Sequence, residues 1–87
     1  MKTPKELSRI IAANVRKRRK ERKLSMQALA EKSGVSYGSV KRFESSGQIS
    51  LLSLLKIATV LDCADRFETL FAEQEIRSIQ EIIDGKV

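Results

Sequence analysis

The chain predicts an all-helical domain, and three observations carry that reading. Apolar residues recur at helical spacing, as at Leu7, Ile10, Ile11 and Val15, and at Leu51, Leu54, Leu55, Ala58 and Leu61. No stretch sustains the period-two alternation of a half-buried strand. Helix start signals, a Ser or Thr just before an apolar run, stand at Thr3, Ser25, Ser36 and Ser50. No internal repeat, low-complexity tract or linker interrupts the pattern, so residues 1–87 read as one domain. Its core lies at 5–72, with a C-terminal extension at 73–87.

Helix one opens on Thr3-Pro4-Lys5-Glu6. This offers a capping hydroxyl, a proline at the first helical position and a glutamate three residues after the cap. Leu7, Ile10, Ile11 and Val15 form its expected buried stripe, and it should run to about Arg22. Helix two follows Ser25, turns Leu29 and Ala30 inward and ends at Ser33-Gly34, where glycine is free to adopt the left-handed closing conformation. Val35 is expected to fill the corner. Helix three follows Ser36 and buries Val40 and Phe43, leaving Tyr37, Lys41 and Arg42 outside. Ser45-Ser46-Gly47-Gln48 reads as a loop. Ser50 then caps helix four, whose stripe is Leu51, Leu54, Leu55, Ala58 and Leu61. Asp65-Arg66-Phe67-Glu68 is a further cap signature, opening a short helix with Phe67, Leu70 and Phe71. Last, Ile76, Ile79, Ile82 and Ile83 fall on one face of a short C-terminal helix over Glu75 to Asp84. They are either a lid on the core or a dimer contact.

Composition narrows the function. A chain this short buries roughly 60 % of its unfolded surface, so it folds alone by a narrow margin that dimerisation would widen. It has one cysteine, Cys63, and no histidine. It therefore holds no internal disulfide, no Cys/His zinc site and no Ser-His or Cys-His nucleophile pair. Nor is there a glycine-rich phosphate loop, so no enzyme and no cofactor are implied. Cys63 reads as a small apolar residue near the end of helix four. With no signal-peptide pattern and no apolar run of about 18 residues, no membrane role is expected and a cytoplasmic location is.

The net charge is +6, and it is uneven. Residues 1–46 hold 13 Lys/Arg against 4 Asp/Glu, a net of +9, while residues 47–87 hold 4 against 7, a net of −3. The first half suits phosphates and the second suits protein. The densest basic run, RKRRKERK from Arg16 to Lys23, is broken only by Glu21. It leads directly into LSMQALAEKSGVSYGSVKRFE, Leu24 to Glu44. That stretch has the layout of two short helices around Gly34, the arrangement that places a second helix in the major groove of DNA.

From Ile10 to Phe71, about two-thirds of the chain, the sequence resembles the Cro/CI or XRE family of bacterial and phage repressors. NVRKRRKERKLSMQALAEKSGVSYGSVKRFE and SLLSLLKIATVLDC carry the likeness. The resemblance implies a lambda-repressor-like all-α fold of five helices plus a short C-terminal helix. It also implies a homodimer on double-stranded DNA with an inverted repeat, in a protein that is bacterial or phage-encoded and nucleoid-associated. A narrower likeness, in RFESSGQISLLSLLKIA, FETLF and EIRSIQEI, is to HipB-like antitoxins that restrain HipA-like kinase toxins and repress their own operon. The acidic stretch Glu73 to Asp84 would be the surface for such a partner.

Three positions depart from the family pattern. Met26 stands where the family usually has a phosphate-contacting glutamine, leaving Gln27 or the backbone for that contact. Arg18 stands where leucine is frequent. Gly38 stands in the first turn of helix three, where a base-reading side chain is often found.

The expected base-facing residues are Tyr37, Gly38, Ser39, Lys41 and Arg42. Arg42 is the prime candidate, because a guanidinium matches the O6 and N7 acceptors of guanine, with a phosphate contact as the alternative. Tyr37 suits a thymine methyl or a phosphate. Gly38 either admits a close approach of the backbone or is merely tolerated early in the helix. The expected phosphate set is Arg16, Lys17, Gln27, Ser36, Ser46, Gly47 and Gln48, with Ser36 a helix cap first. The loop residues among them have an ordinary surface turn as the alternative. The family likeness further implies an ion pair between Arg19 and Glu44, tying helix one to helix three.

Overall fold

The computed structural model describes residues 1–72, and over them the chain is all-α. The elements are α1 Pro4–Glu21, α2 Met26–Ser33, α3 Tyr37–Ser46, α4 Leu51–Val60 and α5 Asp65–Glu68. The C-terminal helix expected over Glu75 to Asp84 lies outside the described residues. No helix among the described residues is long and apolar enough to cross a membrane.

Local chemistry starts the first four helices. Thr3, Ser25, Ser36 and Ser50 stand in extended backbone, and each side-chain oxygen accepts from the N–H three residues on. Each thereby satisfies one of the free donors of a helix start, worth about 1 kcal/mol. Pro4 begins α1. Gly34 closes α2 in the left-handed conformation, its N–H donating to the Ala30 carbonyl.

Two boundaries correct the sequence reading. Ser45 and Ser46 are not loop residues but the last turn of α3, which ends only at Gly47, left-handed at φ 80°. Asp65 is not a cap. It is the first residue of α5, preceded by Ala64 in helical backbone, with no side-chain capping bond.

The core is built around α2, which packs against both α3 and α4, while α1 packs against α3. Leu29, Ala30, Val35, Val40, Ile57 and Leu61 form its central cluster. Val35 is buried in the corner between α2 and α3, so the two-helix unit shares one interior. Ile57, overlooked in the α4 stripe, is fully buried, while Leu51 at the helix start is 66 % exposed.

The expected stripe on α1 is also corrected. Leu7, Ile10 and Ile11 are exposed, and the buried residues of this helix are Ala12 and Arg19. The cause is close approach on the small-residue side. Gly47 packs so tightly on α1 that an added Cβ would lie 2.6 Å from Ser8 Oγ and 3.0 Å from the Ser8 carbonyl carbon. The end of α3 therefore seats against Ser8 and Ala12 rather than against the large aliphatic face.

Candidate nucleic-acid interface

The face of α3 is sorted by its helical period. Val40 and Phe43 point into the core, whereas Tyr37, Gly38, Ser39, Lys41, Arg42 and Ser45 are exposed. All five expected base-facing residues thus lie on the solvent side of one helix, whose N-terminal end follows the corner at Gly34. Ser45, read as loop, joins them one turn beyond Lys41. Its place was discoverable, because Gly47 after two polar residues carries the same closing signal as Gly34.

Several of these side chains are already engaged. Arg42 donates through Nη2 to Gln48 Oε1 at 2.7 Å, joining the outer face of α3 to the segment that follows it. Ser36 Oγ accepts the Ser39 N–H at 3.1 Å and donates to Ser39 Oγ at 2.8 Å, so its hydroxyl belongs to the cap. Around Gly38 an added Cβ would meet no atom within 4 Å, so the protein itself does not require glycine there.

The donors of the turn that ends α3 are engaged within it. Ser46 Oγ donates to the Arg42 carbonyl at 2.6 Å and accepts the Gln48 N–H at 3.2 Å. Gly47 is buried, and its N–H donates to the Phe43 carbonyl at 2.7 Å. The backbone donors of Gly47 and Gln48 are thus spent within the turn. Ser46 is half-buried, and the exposed Gln48 side chain holds Arg42.

Arg19 and Glu44 meet in the interior between α1 and α3. Arg19 Nε donates to Glu44 Oε2 at 2.8 Å and Nη2 donates to Oε1 at 2.9 Å, a bidentate pair with side chains 8 % and 6 % exposed. A third donor, Nη1, reaches the Leu24 carbonyl at 2.7 Å. The hydrogen bond to Glu44 raises the Arg19 pKa. Burial opposes this, and the negative charge of Glu44 reinforces it. The guanidinium therefore spans α1, the α1–α2 connection and α3, fixing the angle at which α3 is presented.

The rest of the basic run divides by helix face. Arg18 Nη1 donates to the Leu61 carbonyl at 3.3 Å. Arg22 Nη1 donates to the Val60 carbonyl at 3.3 Å and to Asp62 Oδ2 at 2.8 Å. Both serve the C-terminal end of α4, where carbonyls lack helical partners and the dipole favours cations. Arg18, a departure from the family pattern, thus has a structural task. On another side of α1, Arg9, Arg16, Lys17 and Lys20 line one groove with Ser45 and Gly47 at the end of α3. Arg16 and Lys41 also border a common cleft with Met26. Arg9 lies outside the basic run, and only the three-dimensional arrangement brings it in.

Met26 packs against the core cluster, and Gln27 is exposed at the start of α2. The side chain available there for an anion is therefore that of Gln27.

This geometry is an exposed helix, seated by a buried ion pair on a two-helix corner and flanked by cations. Residues 15–66 match the model of the helix-turn-helix family HTH_3, of the XRE type, over more than half of the chain. The chain belongs to that family. It is a sequence-specific DNA-binding regulator. No curated protein and no solved structure matches it. In this helix-turn-helix protein α2 and α3 form the motif, and α3 is the recognition helix.

Proposed function

We propose that the protein is a transcriptional repressor of the bacterial cytoplasm that occupies an inverted-repeat operator as a homodimer. The two copies of α3 would lie in successive major grooves about 34 Å apart. The observation that carries this reading is the outward face of α3, with Tyr37, Ser39, Lys41 and Arg42 exposed together beside the cations of α1. In this reading Arg42, steadied by Gln48, reads a guanine. Lys41, Tyr37 and Ser39 make the remaining base or phosphate contacts, and Gly38 lets the helix start approach the groove. Arg16, Lys17 and Gln27 hold phosphates, which fix register without reading sequence. Repression follows from occupying a promoter.

The test is fluorescence anisotropy with DNA from upstream of the protein's own gene, against a shuffled duplex, at several salt concentrations. A preference of about a thousandfold or more with a steep salt slope is the expected result. Equal weak binding to both duplexes would remove autoregulation as the main role.

A second reading is an antitoxin that restrains a HipA-like kinase toxin, with autoregulation as an additional role. It is supported by the likeness of RFESSGQISLLSLLKIA and by the acidic balance of residues 73–87. Co-purification with the product of the neighbouring gene separates the two readings.

A further inference from the structure

The cations of α1 and its cap fall into two groups. Arg18, Arg19 and Arg22 are held by protein acceptors on the α1–α2 connection, on α3 and at the end of α4. Arg9, Arg16, Lys17 and Lys20 are all exposed, and none of them has an ion pair or side-chain hydrogen bond among the described residues. At about 100° per residue, Arg9, Arg16 and Lys20 lie within about 40° of one another around the helix. Lys17 borders the same groove. At about 1.5 Å per residue, the row from Arg9 to Lys20 is roughly 16 Å long. Glu44, the carboxylate that lines this groove, has both oxygens committed to Arg19, so it does not neutralise the row.

The row is continuous with the recognition helix. Arg16 and Ser45 line both this groove and the neighbouring cleft that holds Lys41, so the free cations of α1 and the exposed face of α3 share one surface. A row of this length exceeds any single small anion. It suits a polymer, and each strand of a duplex carries a charge about every 3.4 Å of its axis. We infer that Arg9 and Lys20 join Arg16 and Lys17 in one track for the sugar-phosphate backbone of the duplex that α3 enters. The track carries the DNA contact along α1 beyond the two-helix motif. Arg9 stands outside residues 15–66, so the family match does not assign it. Such contacts add affinity and fix orientation without reading sequence. The inference rests on DNA binding by α3 and is independent of repression and of any inverted repeat.

The experiment is the salt dependence of binding by the full chain to a shuffled duplex, followed by fluorescence anisotropy. Arg9→Gln and Lys20→Gln should each lower the slope of log K against log salt by about one, and together by about two. Arg9→Lys keeps the charge and should keep the slope. Arg66→Gln is the charge-matched control, because Arg66 lines a groove on the opposite flank of α1, beside Ile11 and Arg18. It should leave the slope unchanged. Circular dichroism of each variant reports an intact fold, as expected for exposed positions. Slopes for Arg9→Gln and Lys20→Gln equal to that of the natural chain overturn the inference. An equal drop in Arg66→Gln also overturns it, because net charge and not a track would then set the slope. Absence of any preference for upstream DNA over the shuffled duplex would remove the repressor reading alone, since the track is read on the shuffled duplex.

Discussion

Breaking the Arg19–Glu44 pair should be the most damaging single change outside the apolar core. Both side chains are more than nine-tenths buried, and the guanidinium makes three hydrogen bonds, two to Glu44 and one to the Leu24 carbonyl. In Arg19→Met a carboxylate is left without its partner and the Leu24 carbonyl loses its donor. In Glu44→Leu a guanidinium is left with one bond. Either loss should cost about 3–5 kcal/mol. A domain of 87 residues holds only about 4–13 kcal/mol in total, so the loss takes a large share of it. At about 4–8 °C per kcal/mol, Tm should fall by at least about 12 °C. The double variant should be more stable than either single one, because no buried charge remains and two apolar side chains fill the space. Its residual deficit should be about 1 kcal/mol from the unpaired Leu24 carbonyl. Urea denaturation followed by circular dichroism on all four proteins gives the coupling directly. Single losses within about 1 kcal/mol, or a double loss equal to their sum, would refute the view that this pair acts as one buried unit.

Three further outcomes follow from the interface geometry. Arg42→Ala should weaken operator binding by about 1–3 kcal/mol and relax discrimination at one base pair, with Gln48→Ala giving a smaller effect at the same position. A loss uniform across base-substituted duplexes would make Arg42 a phosphate contact instead. Arg16→Ala and Lys17→Ala should each lower the slope of log K against log salt by about one, with little change in sequence preference. Gly34→Ala should cost about 1–2 kcal/mol, because open space surrounds Gly34 and only its positive φ resists a side chain. Gly47→Ala adds a clash with the Ser8 backbone and should cost more, and the reverse order in urea titrations would contradict the tight seating of α3 on α1.

What the sequence determined is what short-range chemistry determines. The starts of α1 to α4 were legible because a cap needs only one hydroxyl and an N–H three residues away. The corner was legible because Gly34 and Val35 act within one turn, and the outward face of α3 because the helical period alone separates Val40 and Phe43 from Lys41 and Arg42. The Arg19–Glu44 pair came from family likeness, not from spacing.

The tertiary structure decided matters that depend on which surface meets which. The apolar period of α1 was real, yet Ser8 and Ala12 turned inward because only small side chains admit Gly47 so closely. The tasks of Arg18 and Arg22 depend on carbonyls at Leu61 and Val60, some forty positions away, which no local pattern encodes. The N–H groups of Gly47 and Gln48 bond the Phe43 carbonyl and Ser46 Oγ, partners set by how α3 ends. Periodicity assigns a residue to a face of its own helix. The neighbour that covers that face is set by the packing of the whole chain.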